Sequence, residues 1–410
     1  MFRALFFVLS ALLLMSGKKS GKGHPPLRHE AYVWQHKWTQ EMEGVIAHDT
    51  LPRQISGLKV LVGECGLGTG PRRIRVSWEA LKQSQREVTL CIRAGTEGTL
   101  KVPNEPDLEE TIKIVRHSLA ECRKAGIEPR AVQIDYDCPE RLLGQYAKVL
   151  GALRVTLDGC PLEITALPSW LDAPGFAALL AAVDGWTLQV HWTETPRLNQ
   201  NTRLFESAKA LKWTRKAATF GKSFRVALPT YCYVAYFDKA RKYVGVTAET
   251  LTAPRTAAYS LTMESDPVEI ASFLEEVRSE DIETLTGVDW FRLPMPEDRL
   301  NWRMEGLAAV LEGKVGKTPP LIQTVKAGAL YDLMVVNQSP YPSSPVKIGV
   351  LWKDNGVIAA DGACGWQPAL TKDGIEFAPD ASALPLAPHE SRPAGWVRMR
   401  EQTQPFFQIR

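Results

Sequence analysis

The sequence predicts a (β/α)₈ barrel, the TIM-barrel fold, followed by a small all-β domain that resembles a sandwich. Eight short apolar runs alternate with segments of helical spacing between residues 29 and 316, and eight strands close a barrel. After residue 316 the helical period disappears, and alternating runs are separated by clusters of Ser, Pro, Gly, Asn and Asp. We therefore expect the barrel over residues 29–316 and the all-β domain over residues 319–410.

The eight predicted strands are short runs rich in apolar and β-branched residues, bounded by polar or turn-forming residues. They span residues 31–38, 58–65, 87–94, 131–137, 162–169, 186–192, 224–231 and 288–294. In a parallel barrel each strand is followed by a helix that returns the chain to the start of the next strand. The order of these runs therefore predicts a barrel only if helices lie between them.

Helical spacing does occur between the strands. Residues 107–124 are one example, because Pro106 precedes an acidic first turn and Gly126 follows a basic last turn. The other predicted helices span residues 140–153, 175–183, 203–220, 267–278 and 299–311, with two weaker segments after Trp38 and over residues 78–85. The alternation of strand and helix thus covers the whole predicted barrel.

The N-terminal residues have the pattern of an export signal. Arg3 precedes an apolar run over residues 4–15, and the small residues Ser16 and Gly17 suit cleavage. The run is too short to span a membrane as a helix, and no cysteine follows it to carry a lipid. We expect residues 1–23 to be a signal peptide and linker, and the mature protein to be periplasmic or secreted without a stable membrane span.

Composition excludes some partners and suggests another. The net charge is only +3, and the basic residues Lys18, Lys19 and Lys22 form the one noticeable cluster, so no nucleic acid partner is expected. Seven cysteines without a C-x-x-C motif indicate neither zinc nor a disulfide framework. Twelve tryptophans are many for this chain, and indole rings at the rim of a cleft suit sugar rings. We expect a monomer with no cofactor and no metal.

The candidate site centres on the fourth predicted strand. Val132, Ile134 and Tyr136 alternate with polar residues, so Asp135 and Asp137 point to the opposite face, near the end of the strand. Active sites of such barrels lie at the carboxyl ends of the strands. Two roles are open: a catalytic pair, or a structural pair in which Asp135 is buried against an arginine and Asp137 caps the next helix.

Polar and aromatic residues at corresponding positions of other strands are expected to converge on these aspartates. They are Trp34, His36, Glu64, Arg93, Gln189, His191, Tyr231 and Arg292, while Trp38, Trp170 and Trp290 are expected, with Trp34, to offer stacking surfaces. Arg93 lies one strand from Asp135, so we expect an ion pair that keeps Asp135 ionised, and Asp135→Asn is expected to cost stability. No metal-ligand spacing, phosphate-binding loop or nucleophile motif occurs.

The segment from Ile134 to Pro139 resembles the end of the fourth-strand D-x-x-D-x-D-x-E motif of chitinase-like, substrate-assisted glycosidases. Asp135 matches the last Asp of that motif, and Asp137 stands at the position of its acid Glu, whereas Gln133 replaces an earlier Asp. Further motifs span residues 32–35, 133–139, 228–231, 290–294 and 331–333. They carry a second resemblance, from about Tyr32 to Trp396, to a bacterial family of unknown function that is grouped with TIM-barrel glycosidases. That resemblance implies the fold.

These observations predict an exported protein of the glycoside hydrolase type that acts on a polysaccharide or glycan. Asp137 is expected to be the general acid/base, with Asp135 orienting it and tuning its pKa. A second catalytic group remains open, because glycosidases place two carboxylates on opposite sides of the bond. Either the substrate supplies its own nucleophile, or the partner is Glu64 or a loop carboxylate, of which the candidates are Glu194, Asp238 and Glu264. The alternative is a non-catalytic glycan-binding or envelope-assembly protein.

Overall fold

A parallel eight-stranded barrel forms the first part of the protein in the computed structural model. The structure describes residues 26–47, 50–66, 70–95, 105–191, 195–198, 202–248, 253–353, 356–400 and 403–410. The first twelve strands, in chain order, are β1 Arg28–Val33, β2 Ile55–Cys65, β3 Arg72–Arg73, β4 Glu87–Ala94, β5 Ala131–Tyr136, β6 Leu162–Ala166, β7 Gly185–Gln189, β8 Phe224–Pro229, β9 Tyr233–Phe237, β10 Tyr243–Thr247, β11 Tyr259–Met263 and β12 Leu285–Phe291. The barrel order is β1-β12-β8-β7-β6-β5-β4-β2, and parallel pairing of β1 with β2 closes it. The predicted fold is confirmed.

A helix follows every barrel strand. These helices are α1 Gln40–Ala47, α2 Trp78–Ser84, α3 Glu105–Lys124, α4 Leu143–Arg154, α5 Phe176–Ala181, α6 Ser207–Ala218, α7 Pro267–Glu280 and α8 Met304–Leu311. At α7 the start follows from the sequence, because the side chain of Asp266 accepts hydrogen bonds from the amides of Val268 and Glu269 and Pro267 fills the first turn. The two weak helical segments near the N-terminus are helices too.

Two helices begin later than predicted. The residues before α6 include Phe205, which forms an antiparallel bridge with His191, and those before α8 include Asn301, which bridges to Tyr231. In both places the backbone hydrogen-bonds to the chain leaving a barrel strand instead of entering a helical turn. The residues that precede α6 and α8 therefore extend the carboxyl-terminal end of the barrel, where β7 and β8 end.

Strand alternation decides what fills the barrel. Val132, Ile134 and Tyr136 belong to the large apolar core shared with the helices. Gln133 faces the interior, where its side-chain carbonyl accepts from the Tyr32 hydroxyl at 2.7 Å and its amide donates to Thr187 Oγ1 at 3.2 Å. The interior of the barrel is thus polar at a level where such barrels usually pack branched apolar side chains.

An ion cluster closes the amino-terminal end of the interior. It consists of Lys59, Arg130 and Arg225 with Glu30, Glu163 and Asp289. Lys59 Nζ lies 2.7 Å from Asp289 Oδ2, Arg225 Nε lies 2.6 Å from Asp289 Oδ1, and Arg130 Nη1 lies 2.8 Å from Glu163 Oε1. A side chain at Gly287 would collide with the Arg225 guanidinium, so a glycine is required there. Three cations and three anions balance each other in this cluster.

A small insertion follows β8. Strands β9, β10 and β11 form an antiparallel sheet of order β10-β9-β11 before the chain enters α7. Ala235, Phe237 and Met263 of this sheet form a buried apolar cluster with Leu204 and Tyr231. The insertion therefore stands on the carboxyl-terminal end of the barrel.

The C-terminal region contains two four-stranded antiparallel sheets. Its strands are β13 Leu321–Ala327, β14 Leu330–Val336, β15 Ile348–Leu351, β16 Val357–Gly362, β17 Trp366–Thr371, β18 Gly374–Pro379, β19 Ser391–Met399 and β20 Phe406–Ile409, in the orders β13-β14-β19-β16 and β17-β18-β15-β20. Gly328 has φ +61° in the two-residue turn between β13 and β14, a conformation that suits glycine. Both sheets share an apolar core that includes Leu333, Trp366 and Phe377.

The C-terminal region touches the barrel through Tyr341. Its ring packs edge-on against Trp302 at 5.1 Å, and its hydroxyl donates to the Gly306 carbonyl at 3.2 Å. Tyr341 is buried within the apolar core of the barrel. The division at residues 316–319 stays a prediction, as does the signal over residues 1–23, which lies outside the described residues. No helix in the described part of the chain is long and apolar enough to cross a membrane.

Candidate functional site

A cavity of about 550 Å³ opens at the carboxyl-terminal ends of the barrel strands. Eight of the predicted site residues line it: Trp34, Arg93, Asp135, Asp137, Gln189, His191, Tyr231 and Arg292. Five others, His36, Trp38, Glu64, Trp170 and Trp290, are not among its lining residues. The site therefore lies where the barrel fold predicts, with a smaller set of residues.

Asp135 is held in a fixed orientation on β5. Its Oδ1 accepts from Thr165 Oγ1 at 2.7 Å and from Gln189 Nε2 at 3.5 Å, so donors from β6 and β7 bind the same oxygen. Burial and the neighbouring charge of Asp137 raise the pKa of Asp135 to about 6, against the Thr165 hydrogen bond and the charge of Arg93. Asp135 can therefore hold a proton at mildly acidic pH.

Asp137 lies at the mouth of the same cavity. Its side chain is exposed to solvent, yet the enclosing walls raise its pKa, and Arg93 opposes this shift. The short helical turn Glu140–Leu142 that follows has no side-chain cap, so Asp137 does not cap it. The capping role left open by the sequence is thus wrong, and Asp137 is free to face the cavity.

The predicted ion pair between Arg93 and Asp135 is also wrong. Arg93 lies in register with Asp135 on β5 and with Glu64 on β2, but its guanidinium pairs with Glu64 Oε1 at 3.6 Å. Asp135 is instead held by Thr165, as described above. Arg93 lowers the pKa of both aspartates through its charge without forming an ion pair with Asp135.

Glu64 and His36 stand behind the cavity wall. Glu64 is buried, its Oε1 accepts a hydrogen bond from His36 Nε2 at 2.9 Å, and it also contacts Arg93. Neither residue lines the cavity, so the predicted substrate contacts are corrected to a supporting position. A carboxylate with two partners of its own is not available as the second catalytic group.

Only one of the four predicted tryptophan surfaces lines the cavity. Trp34 packs with Tyr32 and Phe291 in the wall. Trp290 is fully buried on the outer side of β12, where its Nε1 donates to His29 Nδ1 at 3.2 Å, and Trp170 is buried under the helices with its Nε1 bound to the Cys138 carbonyl. Trp38 is half-buried against the apolar core.

The aromatic wall continues from Phe291 along β8 and β7. His191 and Tyr231 follow β7 and β8, and both rings pack against Phe291. Burial lowers the pKa of His191 to about 4, against a hydrogen bond with the Ala227 carbonyl. Arg292 is buried and its Nε donates to Asp298 Oδ2 at 2.9 Å, so its charge is compensated.

The sequence interpretation missed several lining residues. Tyr32, Thr165 and Phe291 stand in phase with the inward residues of β1, β6 and β12, so alternation was the signal that could have found them. Tyr233 and Tyr243 come from the insertion after β8, for which no strand was predicted. The alternation also shows why Trp290 was misplaced, because its neighbour Asp289 points inward.

Among the described residues that line the cavity, the acidic ones are Asp135 and Asp137. Glu264 binds Ser344 and Lys317, and Asp238 accepts from the Lys242 amide in a turn, so both loop candidates have structural partners. Glu194 lies outside the described residues. In the described part of the chain no three His, Cys, Asp or Glu side chains group as metal ligands do.

Comparison with solved structures supports the fold. The spore cortex-lytic enzyme SleL from Bacillus megaterium QM B1551 has a TM-score of 0.50 and 10% identity, covering 72% of this chain and 76% of that chain. SleL from Bacillus cereus has a TM-score of 0.46 and 11% identity, covering 71% and 75%. Chitinase ChiA74 from Bacillus thuringiensis has a TM-score of 0.42 and 8% identity, covering 93% and 100%. At 10% identity the similarity to the Bacillus megaterium structure shows the fold alone.

Comparison with sequences gives the family without a function. No curated protein matches the chain. One family model matches residues 85–296, which is more than half of the 410 residues and includes β5 and the aspartates. The chain therefore belongs to the family described as Domain of unknown function (DUF3142).

Proposed function

We propose that this protein hydrolyses a glycan and that Asp137 is the general acid/base of the reaction. The observation that carries the proposal is the pair Asp135 and Asp137 at the end of β5, inside the cavity. Glycosidases protonate the leaving oxygen with a carboxylic acid whose pKa the protein has raised. Asp137 has a raised pKa and is accessible to a ligand, so it is suited to this role.

Asp135 would act on Asp137, not on the substrate bond. Its Oδ1 is occupied by Thr165 and Gln189, and its own pKa of about 6 leaves it able to keep a proton near Asp137. Two neighbouring carboxyl groups that cannot both ionise easily hold one proton between them. This arrangement keeps an acidic proton in the cavity at mildly acidic pH.

The walls of the cavity suit a sugar. Trp34, Tyr231, Tyr233 and Phe291 provide aromatic surface, and Arg93 is half exposed beside them. Sugar rings stack on aromatic faces while polar groups fix their hydroxyls. The name of one similar structure, a spore cortex-lytic enzyme, supports including bacterial cell-wall glycans among the substrates to be tested.

We also propose that the protein is exported to the periplasm or the medium and acts there as a monomer. The apolar run over residues 4–15 supports export. Intact-mass measurement of the protein recovered from outside the cytoplasm should show loss of roughly the first 16 to 23 residues. A full-length protein found only in the cytoplasm contradicts export and leaves the hydrolase proposal to its own test.

A second candidate is a glycan-binding protein without catalysis. It is favoured by one observation: the acids among the described lining residues are Asp135 on β5 and Asp137 just after it, so none of these residues places a carboxylate across the cavity from Asp137. Such a protein would bind glycan fragments through the same aromatic walls. Binding without turnover of any glycan that binds would support this candidate.

The test compares Asp137→Asn with the parent on a panel of glycans. The panel contains N-acetylglucosamine and glucosamine oligosaccharides, peptidoglycan fragments, and β-glucan and xylan oligosaccharides. Loss of a general acid typically lowers the rate by roughly 10² to 10⁴, and we expect this loss with unchanged glycan affinity and a melting temperature no lower than that of the parent. Rates are measured by product chromatography, and affinity by calorimetry.

Asp172→Asn is the matched control, because Asp172 is an exposed aspartate on the turn after β6 and does not line the cavity. It should hydrolyse the substrate at the parent rate. Turnover by Asp137→Asn at the parent rate on a hydrolysed glycan would contradict the assignment of the acid.

A further inference from the structure

The proposed function, on which this inference rests, leaves one catalytic task without a residue. Hydrolysis of a glycosidic bond needs an acid for the leaving oxygen and a second group that attacks the anomeric carbon or activates water. Asp135 lies on β5 and Asp137 directly follows its end, and Asp135 has its Oδ1 bound to Thr165 and Gln189. The second group is either supplied by the substrate itself or comes from another part of the wall, and the wall offers one candidate.

His191 stands on the wall formed by β7 and β8, two strands along the barrel from β5. Its backbone is fixed by the antiparallel bridge to Phe205. The imidazole ring stacks on Phe291 at 6.1 Å and meets the edge of Tyr231 at 6.1 Å. The ring is thus held between two aromatic neighbours, with little freedom to turn.

The tautomer of His191 follows from its partner. Nδ1 lies 3.1 Å from the Ala227 carbonyl oxygen, which can only accept a hydrogen bond, so Nδ1 carries the proton. In the neutral ring Nε2 therefore has a lone pair. Nε2 has no hydrogen-bond partner among the described residues, and His191 lines the cavity.

The environment keeps this imidazole neutral. Burial lowers the pKa of His191 to about 4, which is close to the ordinary pKa of a carboxylic acid. A neutral Nε2 is then available across the mildly acidic range in which Asp135 retains a proton. Its basicity matches that of the carboxylates that usually activate water in glycosidases.

We propose that Nε2 of His191 is the general base that activates water in an inverting hydrolysis. The water oxygen forms a bond to the anomeric carbon while Nε2 takes one of its protons. The bond from that carbon to the leaving oxygen breaks, its electron pair goes to the leaving oxygen, and the Asp137 carboxyl donates a proton there. Water then carries the proton from the imidazolium back to the Asp137 carboxylate, which restores the site.

The first measurement is the configuration of the product. A substrate found with the glycan panel is hydrolysed in the spectrometer, and proton NMR records the anomer formed before mutarotation. We expect the anomer opposite to that of the substrate. A product of retained configuration overturns the inference, because it requires a covalent or substrate-derived intermediate in place of direct attack by water.

The second measurement compares variants on two leaving groups. His191→Gln keeps a hydrogen-bond acceptor but no base, and His191→Asn keeps an amide that can donate to the Ala227 carbonyl. Both should lose roughly 10²-fold or more in kcat with little change in KM, on the natural glycan and on its dinitrophenyl glycoside alike. Asp137→Asn should lose far less on the dinitrophenyl glycoside, because a good leaving group needs no acid.

Folding of each variant is checked by its melting temperature, and the two substitutions give two chances of a folded protein. Hydrolysis at the parent rate by either folded variant, or a loss confined to KM, overturns the role of His191 and leaves Asp137 in place. Absence of hydrolysis by the parent on every glycan overturns the proposed function and this inference together. The two failures are therefore distinguishable.

Discussion

The two ends of the barrel interior treat buried carboxylates in opposite ways. At the amino-terminal end Asp289 is fully buried between Lys59 and Arg225; burial alone would raise its pKa, but the two cations lower it to about 2. At the carboxyl-terminal end Asp135 has no ion pair among the described residues, and burial with the charge of Asp137 raises its pKa to about 6. The pKa of an aspartate on a barrel strand is thus lowered at one end of the interior and raised at the other.

The difference shows how one barrel separates stability from chemistry. A carboxylate with direct cationic partners is ionised at neutral pH and holds those partners in place. A carboxylate beside another carboxylate retains a proton and makes the folded state less stable when that proton is lost. The ion cluster therefore indicates structure, and the pair Asp135 and Asp137 indicates function.

The largest expected effect comes from Asp289→Asn. This change leaves Lys59 and Arg225 without their closest counter-charge in a fully buried position. Removing one partner of a buried ion pair typically costs about 3 to 5 kcal/mol, so we expect a loss of that size in the free energy of unfolding. Urea titration at pH 7 measures it, and the matched control is Asp172→Asn, an exposed carboxylate. A loss below about 1 kcal/mol would mean that the cluster does not depend on Asp289.

Asp135→Asn, the same chemical change at the other end, should act in the opposite direction. The pKa of Asp135 in the folded protein is about 6 and its ordinary value is 3.8, so the folded state binds this proton more tightly than the unfolded chain. Its contribution to stability is present below about pH 4, falls as the pH rises, and is lost above about pH 6. The loss corresponds to about 2 to 3 kcal/mol at 1.36 kcal/mol for each pKa unit.

We therefore expect Asp135→Asn to match the parent near pH 4 and to exceed it in stability near pH 7.5. Urea titrations of both proteins at several pH values give the difference, in which titrating groups that do not interact with Asp135 cancel. The sequence pattern alone predicts the opposite sign, because it pairs Asp135 with Arg93. If the variant is less stable than the parent at pH 7.5, the result would support an ion pair between Asp135 and Arg93.

The smallest expected effect concerns Arg93. Its side chain is 45% exposed and lies 3.6 Å from the buried Glu64, which His36 also contacts, and an ion pair whose cation is screened by solvent contributes about 0 to 1 kcal/mol. Arg93→Gln should therefore change the free energy of unfolding by less than about 1 kcal/mol. It should also raise the pKa of Asp137 and Asp135, because Arg93 lowers both. Carbon-13 NMR of the carboxyl groups measures the shift, and unchanged pKa values would contradict the electrostatic role of Arg93.

The sequence by itself determined the architecture, because periodicity is a local property of the chain. The eight barrel strands lie within the eight predicted runs or overlap them, and the β4 bounds Glu87–Ala94 are those predicted. Alternation along β5 also placed Gln133 and Asp135 on the inner face, since successive strand residues point to opposite sides, and Asp137 just after the strand lines the same cavity as Asp135. Turn residues and helix caps such as Asp266 are likewise local signals.

Only the tertiary structure decided which side chains meet. Arg93 lies between Glu64 and Asp135 on the two neighbouring strands, and the choice of partner depends on distances that no sequence pattern contains. Trp290 is of a residue type that often binds sugars, but its position on β12 points the side chain outward against His29. It is therefore part of the core. The lowered pKa of Asp289 and the raised pKa of Asp135 depend on charges brought together from distant strands. Residue type and local spacing determine the fold, whereas acidity and contact are properties of the packed interior.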